Sequence, residues 1–231
     1  MYSNEISKCC INKLDLNNAK LDIGHYYSSL PHCIIDAVFS IGIKYTATRN
    51  VVERFSKYLE LDTFRKFGSD FPNTDEQYSI NQFIDFYQND EIDFITIDVY
   101  KNKCRTSTVN GILKSEAVLE FAKVLQQYEI NYFQDLAKVI NNASFERDIK
   151  YIKGQGSGIS LSYFFMLAGD ENLIKPDRMI ERFVTDCIGK KLSTYELTKL
   201  FPDAIKKLNT DYPNLTLREL DHEIWKHQSN S

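Results

Sequence analysis

Three glycines at alternate positions, Gly154, Gly156 and Gly158, fall in the stretch YIKGQGSGISLSYFF, residues 151–165, of a chain that holds only nine. Glycine reaches positive φ without strain and lets a neighbour approach closely. A glycine-rich turn that feeds a helix leaves the helix's first N–H groups unpaired and pointing outward. With the positive end of the helix dipole, those groups can hold a phosphate. Lys153 and Ser157 stand inside the turn and Lys150 flanks it. The pattern G-x-G-x-G is neither a dinucleotide fingerprint nor a Walker loop, because no strand precedes it and no Walker lysine follows. Downstream, Asp177 stands at the mouth of the stretch PDRMIERFVTDCIG, where aspartate is favoured as a helix N-cap.

The elements that must position these residues are helical. The stretch HCIIDAVFSIGIKYTATRNVVERFSKYLEL is apolar at 34, 35, 38, 39 and 41 and again at 51, 52, 55, 58 and 59, which predicts two helices. The polar SIGIKYTATRN between them reads as a loop that carries Lys44, Tyr45 and Arg49. A second loop is expected over FRKFGSDFPNTDEQYS, marked by Gly68, Pro72 and Asn73. Ser79 is a candidate N-cap for SINQFIDFYQND. EIDFITIDVYKNK alternates like a strand but has no partner strand in sight, and reads as a short helix or extended connector. KSEAVLEFAKVLQQYEI has one wide apolar stripe. YFQDLAKVI and SFERDIKYI follow as short helices, and ISLSYFFMLAG, apolar nearly all round, is expected to be the most buried. PDRMIERFVTDCIG, STYELTKLFPDAIKKL and TLRELDHEIWKHQ complete an all-α architecture of short-looped helices.

Bulk properties narrow the class. The 231 residues suit one large domain or two small ones, and 43% hydrophobic with 26% charged residues is ordinary soluble globular composition. A formal net charge of −4 means that nucleic-acid binding would need a local basic face. Lys101, Lys103 and Arg105 with Lys114 form the densest basic cluster. The cysteines at 9, 10, 33, 104 and 187 include no C-x-x-C pair, and Cys9 and Cys10 are expected to be free thiols in a reducing compartment. The four histidines show no ligand spacing, so no metal site is expected. No signal sequence and no run of ~18 apolar residues is visible. The expectation is a cytoplasmic protein with no membrane contact.

The order of these motifs resembles the helix-hairpin-helix DNA glycosylase superfamily, its endonuclease III branch in particular. The family hairpin reads Leu-Pro-Gly-x-Gly-x-x-Thr-Ala; here it reads Ile152-Lys153-Gly154-Gln155-Gly156-Ser157-Gly158-Ile159-Ser160. An apolar helix follows, and the family's catalytic aspartate would be Asp177. Upstream, CIIDAVFSIGIKYTATRNVVERF is similar to the family's intercalation segment, and NGILKSEAVLEFAKVL to the helix that precedes the hairpin. The likeness covers about residues 32–185. It implies a helical barrel over 33–165, with the hairpin at about 144–168, and a second lobe built from 1–32 with 170–231.

The resemblance implies a substrate of double-stranded DNA with a damaged or modified base flipped out of the stack. Gly154, Gly156, Gly158, Lys153 and Ser157 would face the backbone, and Lys44, Tyr45 and Arg49 the strand. Asp177 would stabilise the positive charge that develops on the sugar and orient or deprotonate the attacking water. Where bifunctional members carry a Schiff-base lysine, this chain has Gly158, so the implied activity is monofunctional hydrolysis. Cys187 alone occupies the region of the family's four-cysteine loop, so no iron–sulfur cluster is expected. The resemblance allows a monovalent cation held by hairpin carbonyls, and a monomer. Arg178-Met179 replace the family's Thr-His, and Gly42 replaces a glutamine whose place Ile43 or Tyr45 could take. These departures leave a second class open: a helix-hairpin-helix protein that holds DNA or a partner without chemistry. A purely structural helical protein would show no salt-sensitive DNA binding.

Overall fold

A computed structural model describes residues 2–65 and 71–229. The fold is all-α. In chain order the helices are α1 (Ser3–Lys13), α2 (Leu30–Phe39), α3 (Tyr45–Tyr58), α4 (Ile80–Asn89), α5 (Ile92–Phe94), α6 (Lys114–Gln127), α7 (Ala143–Tyr151), α8 (Ile159–Leu167), α9 (Arg178–Ile188), α10 (Thr194–Leu208) and α11 (Leu217–Ser229). The chain divides into two units, Ile23–Ala168 and Met1–Asp22 together with Gly169–Ser231.

The larger unit is organised around α2, whose ten residues are all buried. Helices α3, α6 and α8 pack on it, and α4 packs on α6. The most buried helix is therefore α2 and not α8, where Ser162, Tyr163 and Phe165 keep partial exposure. An apolar sequence marks a buried helix only when neighbours surround it, and α2 is packed by α3, α4, α6 and α8. Two of its polar residues bond to neighbouring segments. His32 Nδ1 lies 2.8 Å from Ser29 Oγ and Nε2 lies 3.0 Å from Ser56 Oγ. Burial pushes the imidazole down to about 3, so it packs as a neutral ring. Asp36 accepts the Tyr27 hydroxyl at 2.8 Å.

Two segments differ from the sequence expectations. The connection after α2 is shorter than predicted, because Tyr45 and Arg49 are helical residues of α3. Arg49 bonds Glu53 one turn on at 3.0 Å, bonds the Tyr45 hydroxyl at 3.4 Å and stacks over Phe64, so its side chain supports the helix. Lys114 leaves the basic cluster altogether. It is 2% exposed, and its ammonium donates to the carbonyls of Phe39 (2.8 Å) and Ile41 (2.5 Å) at the C-terminal end of α2, where helix carbonyls lack partners. Other expectations hold. Ser79 caps α4 in a capping box with Gln82. The strand-like EIDFITIDVY is helical: α5 runs into a π-helical turn, Ile95–Val99, closed by the Tyr100 N–H on the Ile95 carbonyl at 2.8 Å. Of the loop predicted around Gly68, Pro72 and Asn73, residues 66–70 lie outside the described residues, and in the rest Asn73 caps a 3₁₀ turn, Thr74–Glu76.

The smaller unit packs α1 against α9 and α10, and α11 against α9 and α10. Its core holds Ile6, Cys10, Phe183, Val184, Phe201, Leu220 and Ile224. Cys9 and Cys187 form a disulfide between α1 and α9, with Cα atoms 5.9 Å apart, which corrects the free-thiol expectation for Cys9, whereas Cys10 is a free thiol. Adjacent helical residues point about 100° apart. Cys10 therefore enters the core, where burial pushes its thiol up to about 12, while Cys9 meets α9. Among the described residues no helix is long and apolar enough to cross a membrane.

Candidate functional site

The glycine turn is built by α7 and α8. Asn142 caps α7 by accepting the N–H groups of Ser144 (3.0 Å) and Phe145 (3.1 Å). After Tyr151 the backbone closes two turns, Gln155 N–H to Ile152 O and Gly158 N–H to Gln155 O, both 2.9 Å. The glycines have separate reasons. Gly154 has φ +87°, and a Cβ on it would sit 2.3 Å from the Thr106 Cβ. Gly158 has φ +73° and is the N-cap of α8; it has no side chain of its own to cap the helix, and the Ser157 hydroxyl accepts the Ile159 N–H at 3.4 Å. A Cβ on it would sit 2.7 Å from Lys150 Cε. Gly156 needs neither positive φ nor close approach.

The turn has a buried side and an open side. Ile152, Gln155, Gly158 and Ser160 are buried, while Lys153, Gly154, Gly156 and Ser157 are exposed. Gln155 Oε1 accepts the Ser160 hydroxyl, and its Nε2 is buried without a partner among the described residues. A helix start whose one side-chain cap is the long Ser157 bond, beside an exposed lysine and two exposed glycines, is chemically suited to an anion. Tyr151, 79% exposed, extends this face, and with Ala143, Glu146, Arg147 and Lys150 it lines a shallow cavity of about 300 Å³. Lys150 is held by Glu146 at 2.5 Å.

Asp177 belongs to the other unit. It is the N-cap of α9, its Oδ1 accepting the N–H groups of Met179 (2.8 Å) and Ile180 (3.4 Å). Oδ2 is not used in the cap and lies 3.9 Å from Lys175 Nζ. The Asp177 N–H donates to the Lys175 carbonyl at 2.7 Å across Pro176, a three-residue turn that suits proline's fixed φ.

The family described as "Domain of unknown function (DUF8548)" matches residues 4–229. The chain belongs to this family. No curated protein and no solved structure matches it.

Of the residues singled out in the sequence of this family member, the structure gathers Lys153, Gly154, Gly156, Ser157 and Gly158 in one turn. Lys44 is exposed at the entry to α3, while Tyr45 and Arg49 lie within that helix. Lys101, Lys103 and Arg105 are exposed on the connection before α6, where an isolated antiparallel bridge pairs Arg105 with Leu113. Among the described residues no group of three or more His, Cys, Asp or Glu side chains could hold a metal ion. Sequence reasoning missed Asp221. From α11 it accepts the Lys175 N–H at 2.9 Å, placing a second carboxylate at the Asp177 turn. The residue keeps partial exposure, but burial of its carboxyl group and then the negative charge of Asp177 push it up to about 7, against the pull of Lys175 and Arg218. Its sequence setting, LRELDHEIW, is that of any solvated helix face and carried no signal.

Proposed function

We propose that this chain is a DNA base-excision glycosylase that hydrolyses an N-glycosidic bond with Asp177. The observation that carries this reading is the glycine turn with Gly158 as a left-handed, side-chain-free cap at the start of α8. That arrangement supports a role in holding a DNA phosphate, with Lys153 and Ser157 on its open side. Further along the chain Asp177 opens α9, with one oxygen engaged as cap and the other outside the cap. In the proposed reaction the second oxygen faces the sugar, stabilises its developing positive charge and orients water for attack. Monofunctional hydrolysis is favoured over imine chemistry. Gly158 offers no amine, and the nearby Lys150 ammonium is paired with Glu146.

A second reading has its own observation. Asp177 is fully explained as an N-cap, so a helix-hairpin-helix protein that binds DNA without chemistry would need the same residue. Single-turnover base release from a panel of damaged duplexes separates the two. Abasic sites made by the wild type and not by Asp177→Asn support the glycosylase. Salt-sensitive binding with no base release from any substrate supports the binder.

A further inference from the structure

The Lys175–Pro176–Asp177 turn is held from outside its own helix. Asp177 grips α9 through Oδ1, and Lys175 is gripped from α11 by Asp221. The anchor is itself anchored. Arg218, 3% exposed and nearly one helical turn before Asp221, donates to Glu171 at 3.1 Å. The Arg218 N–H also meets the Glu171 carbonyl at 3.2 Å, which ties the start of α11 to the loop leading into the turn. Thr216 adds a bond to the same carboxylate at 3.1 Å. Nothing in a plain N-cap requires this second carboxylate. A cap needs one acceptor oxygen at the start of α9, and Asp177 Oδ1 supplies it.

We infer that Asp221 is a positioning residue for Asp177: it fixes the Lys175–Pro176–Asp177 turn through the Lys175 amide, and its own charge opposes that of Asp177. The charged groups facing Asp221 are Asp177 and Lys175 on the turn and Arg218 on α11, with Glu171 reached through Arg218. Protonated Asp221 leaves Asp177 as the carboxylate charge of the turn. Ionised Asp221 adds a like charge and a rival for the Lys175 ammonium. The titration of Asp221 to about 7 puts this change in the neutral range. Its consequence for base release rests on the proposed catalytic role of Asp177; the coupling itself does not.

The test therefore has two arms. In carboxyl carbon NMR of the whole chain, the Asp221 midpoint is expected to fall in Asp177→Asn. In Asp221→Ala the amide resonances of Met179 and Ile180, which report the cap, are expected to shift, whereas Asp221→Asn, which keeps an acceptor for Lys175, restores them. An unchanged Asp221 midpoint, or unmoved cap resonances in the alanine variant, overturns the inference whatever the activity. In single-turnover base release, Asp221→Ala is expected to slow the rate by about tenfold or more at unchanged DNA affinity. Asp221→Asn is expected to recover the rate and to lose the wild-type inflection near neutral pH. Wild-type base release with both variants following the wild-type profile sinks the inference and leaves the glycosylase standing. No base release from the wild type sinks the glycosylase and leaves the NMR arm to judge Asp221.

Discussion

Gly154 and Thr106 are so close that a Cβ on the glycine would lie 2.3 Å from the Thr106 Cβ and 2.7 Å from its hydroxyl oxygen. The connection before α6 is thereby packed under the glycine turn, which has no side chain of its own at that point. Gly154→Ala meets both this clash and the strain of φ +87°, and is expected to lose at least about 2 kcal/mol in urea unfolding. Gly158→Ala meets strain alone, because the Lys150 chain can move aside, and is expected to lose about 1 kcal/mol. Gly156→Ala is expected to stay within about 0.5 kcal/mol. Equal losses at all three positions would mean that the turn is not built as described.

Lys114 separates a structural lysine from the exposed ones. Lys114→Met keeps the aliphatic stem and removes the ammonium, leaving the Phe39 and Ile41 carbonyls without their donor. A loss of about 1–3 kcal/mol is expected in chemical denaturation. The folded variant should bind DNA with the wild-type salt dependence. Neutralising Lys153 should instead reduce the slope of log affinity against log salt by about 1, the signature of one lost phosphate contact. A normal slope in the Lys153 variant would count against the hairpin as the DNA face.

The disulfide gives a direct thiol count. Denatured without reductant, the chain should react at Cys10, Cys33 and Cys104 and nowhere else. Reduction, or Cys9→Ser, should destabilise the unit of α1 and α9–α11 by about 2–4 kcal/mol, because the bond closes a loop between residues 178 apart. Five reactive thiols in the unreduced chain would refute the bond.

How much of this could be read in advance follows physical range. Helices announce themselves through neighbours three and four residues apart, so the stripe of α6 and the Ser79 cap were visible in the letters. The glycine turn was equally local, although only contact with Thr106 shows why Gly154 differs from Gly156. Cys9 with Cys187, Lys114 with the end of α2, and Asp221 with the Asp177 turn join residues far apart in sequence, and no periodicity encodes such meetings. Arg49 shows the converse error. Its polar surroundings read as loop, yet Glu53 and Tyr45 lie at helical spacing from it, and that spacing was the stronger signal.

Each unit carries a titratable group that predicts a response to pH, and the two responses are opposite. His32 in the larger unit is pushed down from its usual 6.5 to about 3. The folded unit therefore binds fewer protons than the unfolded chain between those values. Its contribution to stability is full above about pH 6.5 and is lost as pH falls toward about 3, by at most about 5 kcal/mol. Asp221 in the smaller unit is pushed up from 3.8 to about 7. There the folded unit binds more protons, so stability is full below about pH 4 and is lost as pH rises through about 7, by roughly 2 kcal/mol given its partial exposure. Trp225, the only tryptophan, lies on α11 and reports the smaller unit alone. Its urea midpoint should fall from about pH 5 to about pH 8, and Asp221→Asn should flatten that fall. Amide exchange in α2, corrected for intrinsic rates, should report the larger unit weakening in the other direction, and His32→Gln should flatten it. If both probes moved together with pH, the coupling between protonation and stability would not be confined to these groups within their own units.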